Sequence, residues 1–211
     1  MSIKDRVYRS LDLGVQLAWR DIRRALRDCR TVLDLGCGSG SPVRYLPRPA
    51  RLVGVDGHGP AVEESRRQGI HDEYVVCDVR ELPFPRRSFD AVVMLDLLEH
   101  LSTADGISLL ERSEEIATRK VVVLTPNGWL PQDEYGGNPL QRHQSAWRAA
   151  DLVTREYVVR GVSGHRVFRG YQAAYRRPVG VGAPLASMSE LIVYRRPEKA
   201  FHLLAIKTIA D

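Results

Sequence analysis

Cysteine is scarce in this 211-residue chain: Cys29, Cys37 and Cys77 are odd in number and lack metal-finger spacing. A disulfide framework is therefore excluded, and a reduced, cytoplasmic setting is expected. No apolar run approaches the roughly 20 residues of a membrane span, so no membrane partner is expected. The first residues carry Lys4, Asp5, Arg6 and Arg9, which make no secretory apolar region. Internal repeats and low-complexity tracts are also missing. Lysine is rare as well. Lys4, Lys120, Lys199 and Lys207 stand alone, and arginine carries the rest of the positive charge behind a net +5. That excess has two readings, genome composition or an acidic partner.

What is present reads as one folded domain. Hydrophobic residues make up 44% and charged residues 27%, the balance of a globular chain long enough to bury a core. Over residues 1–30, Ile3, Val7, Leu11, Val15, Ala18, Ile22 and Leu26 recur at helical spacing. They predict a helical cover, interrupted at Gly14. From residue 31 the rhythm changes. Short apolar runs at 31–35, 51–55, 73–77, 89–95 and 120–124 alternate with helix-compatible stretches near 41–46, 60–68, 97–101 and 105–118. Continuous Val/Leu runs suit strands covered on both faces, and alternating β and α elements imply a doubly wound α/β sheet. Two further strands are expected at 157–162 and 201–209, with a looser stretch between them.

The strongest local signal is Val32-Leu33-Asp34-Leu35-Gly36-Cys37-Gly38-Ser39-Gly40, a strand entering a glycine-rich turn. Ser41 and Pro42 then offer an N-cap and a first helical position. A nucleotide phosphate loop needs Lys-Ser/Thr after its last glycine, and the dinucleotide fingerprint wants glycine where Ser41 stands. Asp34 is awkward for a pyrophosphate and welcome to a cation. S-adenosylmethionine, with its ammonium and sulfonium, fits such a turn better than NAD does.

In this turn and in four later segments the chain resembles the class I S-adenosylmethionine-dependent methyltransferases. The later segments are Val53-Gly54-Val55-Asp56, Cys77-Asp78-Val79, the run from Phe89 to Leu101, and Val121–Gly128 with its Thr125-Pro126-Asn127. Asp56 lies 22 residues after Asp34, and Asp78 a further 22 on. The resemblance implies a Rossmann-like, three-layer sheet of seven strands with the last antiparallel. It also implies S-adenosylmethionine as cofactor and S-adenosylhomocysteine as product. Asp34, Gly36, Cys37, Gly38 and Gly40 then form the cofactor turn. Asp56 is expected to take the ribose hydroxyls, Asp78 the adenine amino group and the Val79 N–H a ring nitrogen. Met94 and Leu95 are expected near the methionine arm. Within this reading residues 1–211 form one domain, with an acceptor-side insertion at 163–199.

For catalysis the candidates are His100 and His143. Asp96, Glu99 and His100 are spaced to share one helical face. Together with His143 and Trp147 they are similar to a metal-binding pattern of certain O-methyltransferases, with Asp96 in place of glutamate; no metal is expected to be needed. The Gly- and Pro-rich loop at 127–146, carrying Trp129 and Tyr135, is long enough for a lid. Residues 152–196 hold eight arginines (155, 160, 166, 169, 176, 177, 195 and 196) against two acids, with Tyr157, Phe168, Tyr171, Tyr175 and Tyr194 between them. That stretch admits an anionic or nucleic-acid partner. The favoured function is methyl transfer to a small-molecule acceptor. The alternatives are a basic nucleic-acid-binding or RNA-methylating protein and an NAD-dependent oxidoreductase.

Overall fold

The computed structural model of the chain describes residues 13–134, 136–169 and 179–210. Seven strands form one sheet: β1 (Thr31–Leu35), β2 (Arg51–Asp56), β3 (Glu73–Val76), β4 (Phe89–Leu95), β5 (Ala117–Pro126), β6 (Val158–His165) and β7 (Ala200–Thr208). Their spatial order is β3-β2-β1-β4-β5-β7-β6. The first five pair in parallel, and β7 runs antiparallel to both β5 and β6. The expected seven strands and the antiparallel last one are both present. Between β1 and β4 the chain reverses the direction in which it winds the sheet, so a crevice opens at their carboxyl ends.

Side chains alternate across each strand, and both faces are covered. Leu33, Leu35, Val92, Met94, Val121 and Val123 pack under α3 (Thr103–Ile116) and α4 (Ala149–Val153) through Leu109, Leu110, Ile116 and Leu152. On the other face Val32, Leu52, Val93, Val122 and Leu204 meet Ala18 and Ile22 of α1 (Leu13–Leu26). This is why the strands read as unbroken apolar runs. Helix α2 (Gly59–Arg67) backs β2 and β3, and α5 (Val179–Val193) packs on β6 and α1.

Several local readings change. Helix α1 is described from Leu13 and is helical at Gly14; residues 1–12 of the expected cover, and with them a break into two helices ahead of Leu13, lie outside the described residues. The expected helix at 41–46 is a single 3-10 turn, Pro42–Tyr45, since Pro42, Pro47 and Pro49 leave no room for more. Ser41 still caps it, accepting the Val43 N–H at 3.3 Å. The segment at 97–101 is likewise one 3-10 turn, Leu98–His100. Helix α3 passes into β5 at Ala117 with no connecting loop. The looser stretch after β6 contains α5, an ordered helix that sequence periodicity missed.

Candidate functional site

The glycine turn sits where the crevice opens. The N–H groups of Gly36 and Cys37 both donate to the Val55 carbonyl, at 2.8 and 2.9 Å, which curls the chain back over β2. Gly36 takes φ +71°, and a Cβ there would come within 2.8 Å of Leu97 Cδ1. Gly38 takes φ +51° and has nothing within 4 Å of where its Cβ would stand. One glycine is needed for close packing and the other leaves open space for a ligand. Asp56, ending β2, ties the turn together: its Oδ2 accepts the Gly38 N–H at 2.9 Å and its Oδ1 the His58 N–H at 2.8 Å. A carboxylate has about four acceptor positions, so two stay available. Beside it, the buried His58 Nδ1 has no hydrogen-bond partner among the described residues.

The other expected cofactor residues are placed less uniformly. Asp34 shares a strand face with Val32 and is closed off from solvent, its Oδ2 2.8 Å from His71 Nε2. Gly54 makes room for that contact, since a Cβ there would lie 2.9 Å from the imidazole. Asp34 thus braces β1 against the segment before β3 and does not line the crevice. Cys37 is buried, and burial together with Asp34 and Asp56 raises its thiol pKa, so it stays a protonated, inert side chain. Gly40 sits in open surroundings, with Arg44 Nη2 3.9 Å from its Cβ position. Asp78 caps the 3-10 turn Val79–Glu81 and grips Arg80, whose guanidinium holds its pKa below the usual range. Val79 is buried in the core. Met94 faces α3, with Ser113 Oγ 3.9 Å from its sulfur, and Leu95 points to the opposite core. Neither side chain reaches the crevice; their strand end can meet a ligand through backbone alone.

The second half of the site is built after β4. Asp96 adopts a left-handed φ of +57°. That turn and the single 3-10 turn behind it overturn the shared helical face expected for Asp96, Glu99 and His100. Asp96 lies instead 4.0 Å from His202 Nε2 on β7. Glu99 is buried, and its Oε2 accepts the Thr125 hydroxyl at 2.9 Å. Burial and the nearby Asp96 push its pKa well above the carboxylate range. His100 and His143 stack edge to face, ring centroids 4.8 Å apart. His143 Nδ1 lies 2.6 Å from the Leu130 carbonyl, and His100 Nδ1 lies 3.4 Å from that of Arg142. A carbonyl only accepts, so each Nδ1 is assigned the proton and each Nε2 the lone pair. Burial and the neighbouring His143 lower the His100 pKa to about 4, and burial lowers that of His143.

The loop at 127–146 folds over this cluster as a fixed cover. Gln144 and Ser145 donate their N–H groups to the Glu99 carbonyl at 2.7 and 3.2 Å. Trp147 Nε1 donates to Ser145 Oγ at 3.0 Å, and its ring packs flat against Gly106 of α3. Leu140 reaches over Gly57, 3.1 Å from where a Cβ would stand. Trp129 is exposed as expected; Tyr135 lies outside the described residues. Ligand atoms of Glu99, His100 and His143 all fall within 4.8 Å of one another. A cation held by these donors would have to offset the burial that raises the Glu99 pKa, and Asp96 is not among them. Leu140, His58 and His202 went unnoticed in the sequence, where nothing marks them, and Thr125 stood only within the motif that follows β5, without a role.

With this geometry in place, likeness to known proteins becomes informative. Residues 33–130 match the methyltransferase domain family. That segment, a little under half of the chain, is similar to the methyltransferase domain family. A probable tRNA methyltransferase 9B of Mus musculus is 35% identical over 118 residues, covering 54% of this chain and 24% of that protein. A sterol 24-C-methyltransferase of Yarrowia lipolytica is 35% identical over 126 residues, covering 53% and 31%. The chain thus spans about a quarter to a third of the length of these curated relatives. Among solved structures, a Haloferax volcanii putative methyltransferase, in complex with the Trm112 methyltransferase activator, aligns over 98% of this chain and 96% of its own, with a TM-score of 0.59 and 18% identity. Magnesium protoporphyrin IX methyltransferase from Synechocystis, with bound S-adenosylmethionine, aligns over 94% and 81%, with a TM-score of 0.55 and 16% identity. These two likenesses are of fold.

The arginine-rich stretch of the chain does not form one described face. Arg155 pairs with Glu111 at 3.4 Å, and Arg160 stacks over the Tyr194 ring. Arg169 is buried, donating to the Ser163 carbonyl at 2.6 Å. Tyr171, Tyr175, Arg176 and Arg177 lie outside the described residues. A 940 Å³ cavity lined by Arg24, Arg119, Lys120 and Tyr194 opens at the amino ends of β4 and β5, the end of the sheet opposite the glycine turn.

Proposed function

We propose that this chain transfers the methyl group of S-adenosylmethionine to a hydroxyl or amine of a small organic acceptor. When bound, the cofactor supplies an electrophilic methyl carbon on a sulfonium that leaves as a neutral thioether. The open space over Gly38 and the orphaned His58 Nδ1 beside Asp56 fit a nucleoside. Asp56 would hold the ribose hydroxyls through its two spare acceptor positions, Asp78 the adenine amino group, and the Gly36–Gly40 backbone the methionine end. Asp34 acts on the turn from behind, through His71.

The observation that carries the reading is the pair of imidazoles folded over the crevice. Leu97, three residues before His100, packs on Gly36, and Leu140 of the covering loop lies over Gly57, which brings the pair to the cofactor turn. Nε2 of His143 or His100 can accept the proton that the acceptor loses as its oxygen or nitrogen bonds to carbon. The covering loop orients the reactants over the crevice, a contribution of roughly 7–11 kcal/mol. A small acceptor is favoured over RNA because the described arginines are scattered. Buried free Cys29 and Cys37 support a cytoplasmic setting. No helix among the described residues is long and apolar enough to cross a membrane.

The test is thermal. S-adenosylmethionine or S-adenosylhomocysteine at 100 times its dissociation constant should stabilise the fold by about 2.7 kcal/mol, which is roughly 5–11 °C in Tm for a chain of this size. NAD should leave the Tm unchanged. No shift with either adenosyl ligand would overturn the reading.

A further inference from the structure

Helix α5 is built inside out. Its carboxylate, Glu190, is fully buried and accepts the Gly164 N–H, while its large apolar side chains face outward. Met188 is 73% exposed, Leu191 67%, Ile192 59% and Leu185 39%. At helical spacing these four make one contiguous ridge, and Ala186, Glu190 and Val193 make the buried side. An exposed apolar surface of a few hundred Å² is the size that marks an interaction site. Cations border it. Arg195, Arg196 and Lys199 follow directly, all exposed, with Glu198 as the one acid in that run. None of the three is held in an ion pair among the described residues. Just before the helix the sequence adds Arg176 and Arg177.

An apolar ridge flanked by arginines is complementary to a bilayer whose headgroups are negative, where side chains enter the interface and cations meet phosphates. A second copy of the chain suits the ridge less well. Four described side chains fall far short of the roughly 20–30 residues a side of a stable interface, and pairing would bring like charges together. We infer that α5 is a peripheral docking face for anionic phospholipid membranes. The face lies beside the crevice: Ser189 Oγ accepts the His165 N–H at 2.8 Å, and Ser163 joins His202, the neighbour of Asp96. An acceptor dissolved in the bilayer would therefore meet the site at its rim.

The test is cosedimentation of the full chain with phosphatidylcholine vesicles, with and without phosphatidylglycerol. The protein should sediment with the anionic vesicles and stay in solution with the neutral ones. Met188→Ser/Leu191→Ser should abolish sedimentation, and Arg195→Gln/Arg196→Gln should weaken partitioning by roughly 30-fold. Both variants should keep the Tm and the thermal response to S-adenosylhomocysteine, which separates this test from that of the cofactor. If the serine variant fails to fold, the charge variant carries the comparison. Wild-type protein that ignores anionic vesicles, or variants that sediment undiminished, would overturn the inference. So would a wild-type dimer in analytical ultracentrifugation that the serine variant dissolves, because the face would then belong to a second copy.

Discussion

His143 keeps its proton on Nδ1 because the Leu130 carbonyl can only accept, and its depressed pKa keeps Nε2 available for a proton. A free imidazole titrates near 6.5. With His100 lowered to about 4 and His143 also lowered, the base stays competent at pH values where an ordinary histidine is half charged. The acid limb of kcat/KM should therefore lie below pH 6.5, and His143→Ala should depress turnover while leaving S-adenosylhomocysteine binding intact. A limb at or above 6.5 would assign the proton to another group. The same shift has a stability sign. His100 binds its proton less readily folded than unfolded, so its contribution is complete above about pH 6.5 and is lost as pH falls toward 4. Burial and the nearby Asp96 raise the Glu99 pKa, and Asp96 lies against His202, so negative charge is disfavoured where the cluster would need it to hold a cation. Methyl transfer should survive EDTA; activity lost to EDTA and restored by Mn²⁺ would make Glu99, His100 and His143 a metal centre. Asp56 has two tasks, and its removal should show both. Asp56→Ala strands the Gly38 and His58 N–H groups, at about 1–3 kcal/mol of apo stability by urea unfolding. Calorimetry should show a separate loss of S-adenosylhomocysteine affinity in the folded remainder, and normal affinity there would make Asp56 purely structural.

At the scale of elements, the cover over the site depends on one close approach. A Cβ on Gly106 would come within 2.5 Å of Trp147 Cζ2, inside a helix whose backbone cannot yield. Gly106→Ala should therefore push Trp147 outward and destabilise the fold by about 1–3 kcal/mol, the usual cost of overpacking. Because Trp147 holds Ser145, and Ser145 holds the Glu99 carbonyl, the loop should also loosen. Faster limited proteolysis between residues 131 and 142 would report it, and an unchanged cleavage rate would show that Trp147 does not hold the loop. The strands were legible because each is covered on both faces, and the glycine turn because its conformation demands specific residues. Helix α5 was not legible. Gly180, Gly182 and Pro184 disfavour a helix locally, and its apolar residues point outward, which inverts the pattern a reader searches for. The Asp34–His71 contact joins residues 37 apart in sequence, and nothing local in either segment announces the other. Asp96 failed as a helical neighbour of Glu99 because a left-handed residue breaks the spacing on which that reading rests.

Across the whole molecule, a net charge of +5 suggests a polyanion partner until the charges are placed. Many arginines are neutralised locally: Arg48 by Asp72, Arg51 by Glu73, Arg66 by Glu63, Arg67 by Glu64 and Arg80 by Asp78. These exposed pairs add little stability, but they cancel the field that would draw a nucleic acid along one face. The other described cations are spread: Arg195, Arg196 and Lys199 at the rim of α5, Arg142 in the covering loop and Arg148 just after it, Arg166 beside Gly128, and Arg24 and Lys120 at the cavity at the amino ends of β4 and β5. A nucleic acid would have to wrap the molecule to meet them all. Affinity for tRNA should accordingly stay in the non-specific range, with a dissociation constant of about 10⁻⁴–10⁻⁶ M at physiological salt, and should fall steeply between 50 and 200 mM salt, roughly as counterion release dictates. A gel shift at those two concentrations measures it. A submicromolar complex that persists at the higher salt would mean that the scattered cations are gathered by a surface outside the described residues. The acceptor would then be an RNA, and His143 would be serving a ribose or base in place of a small molecule.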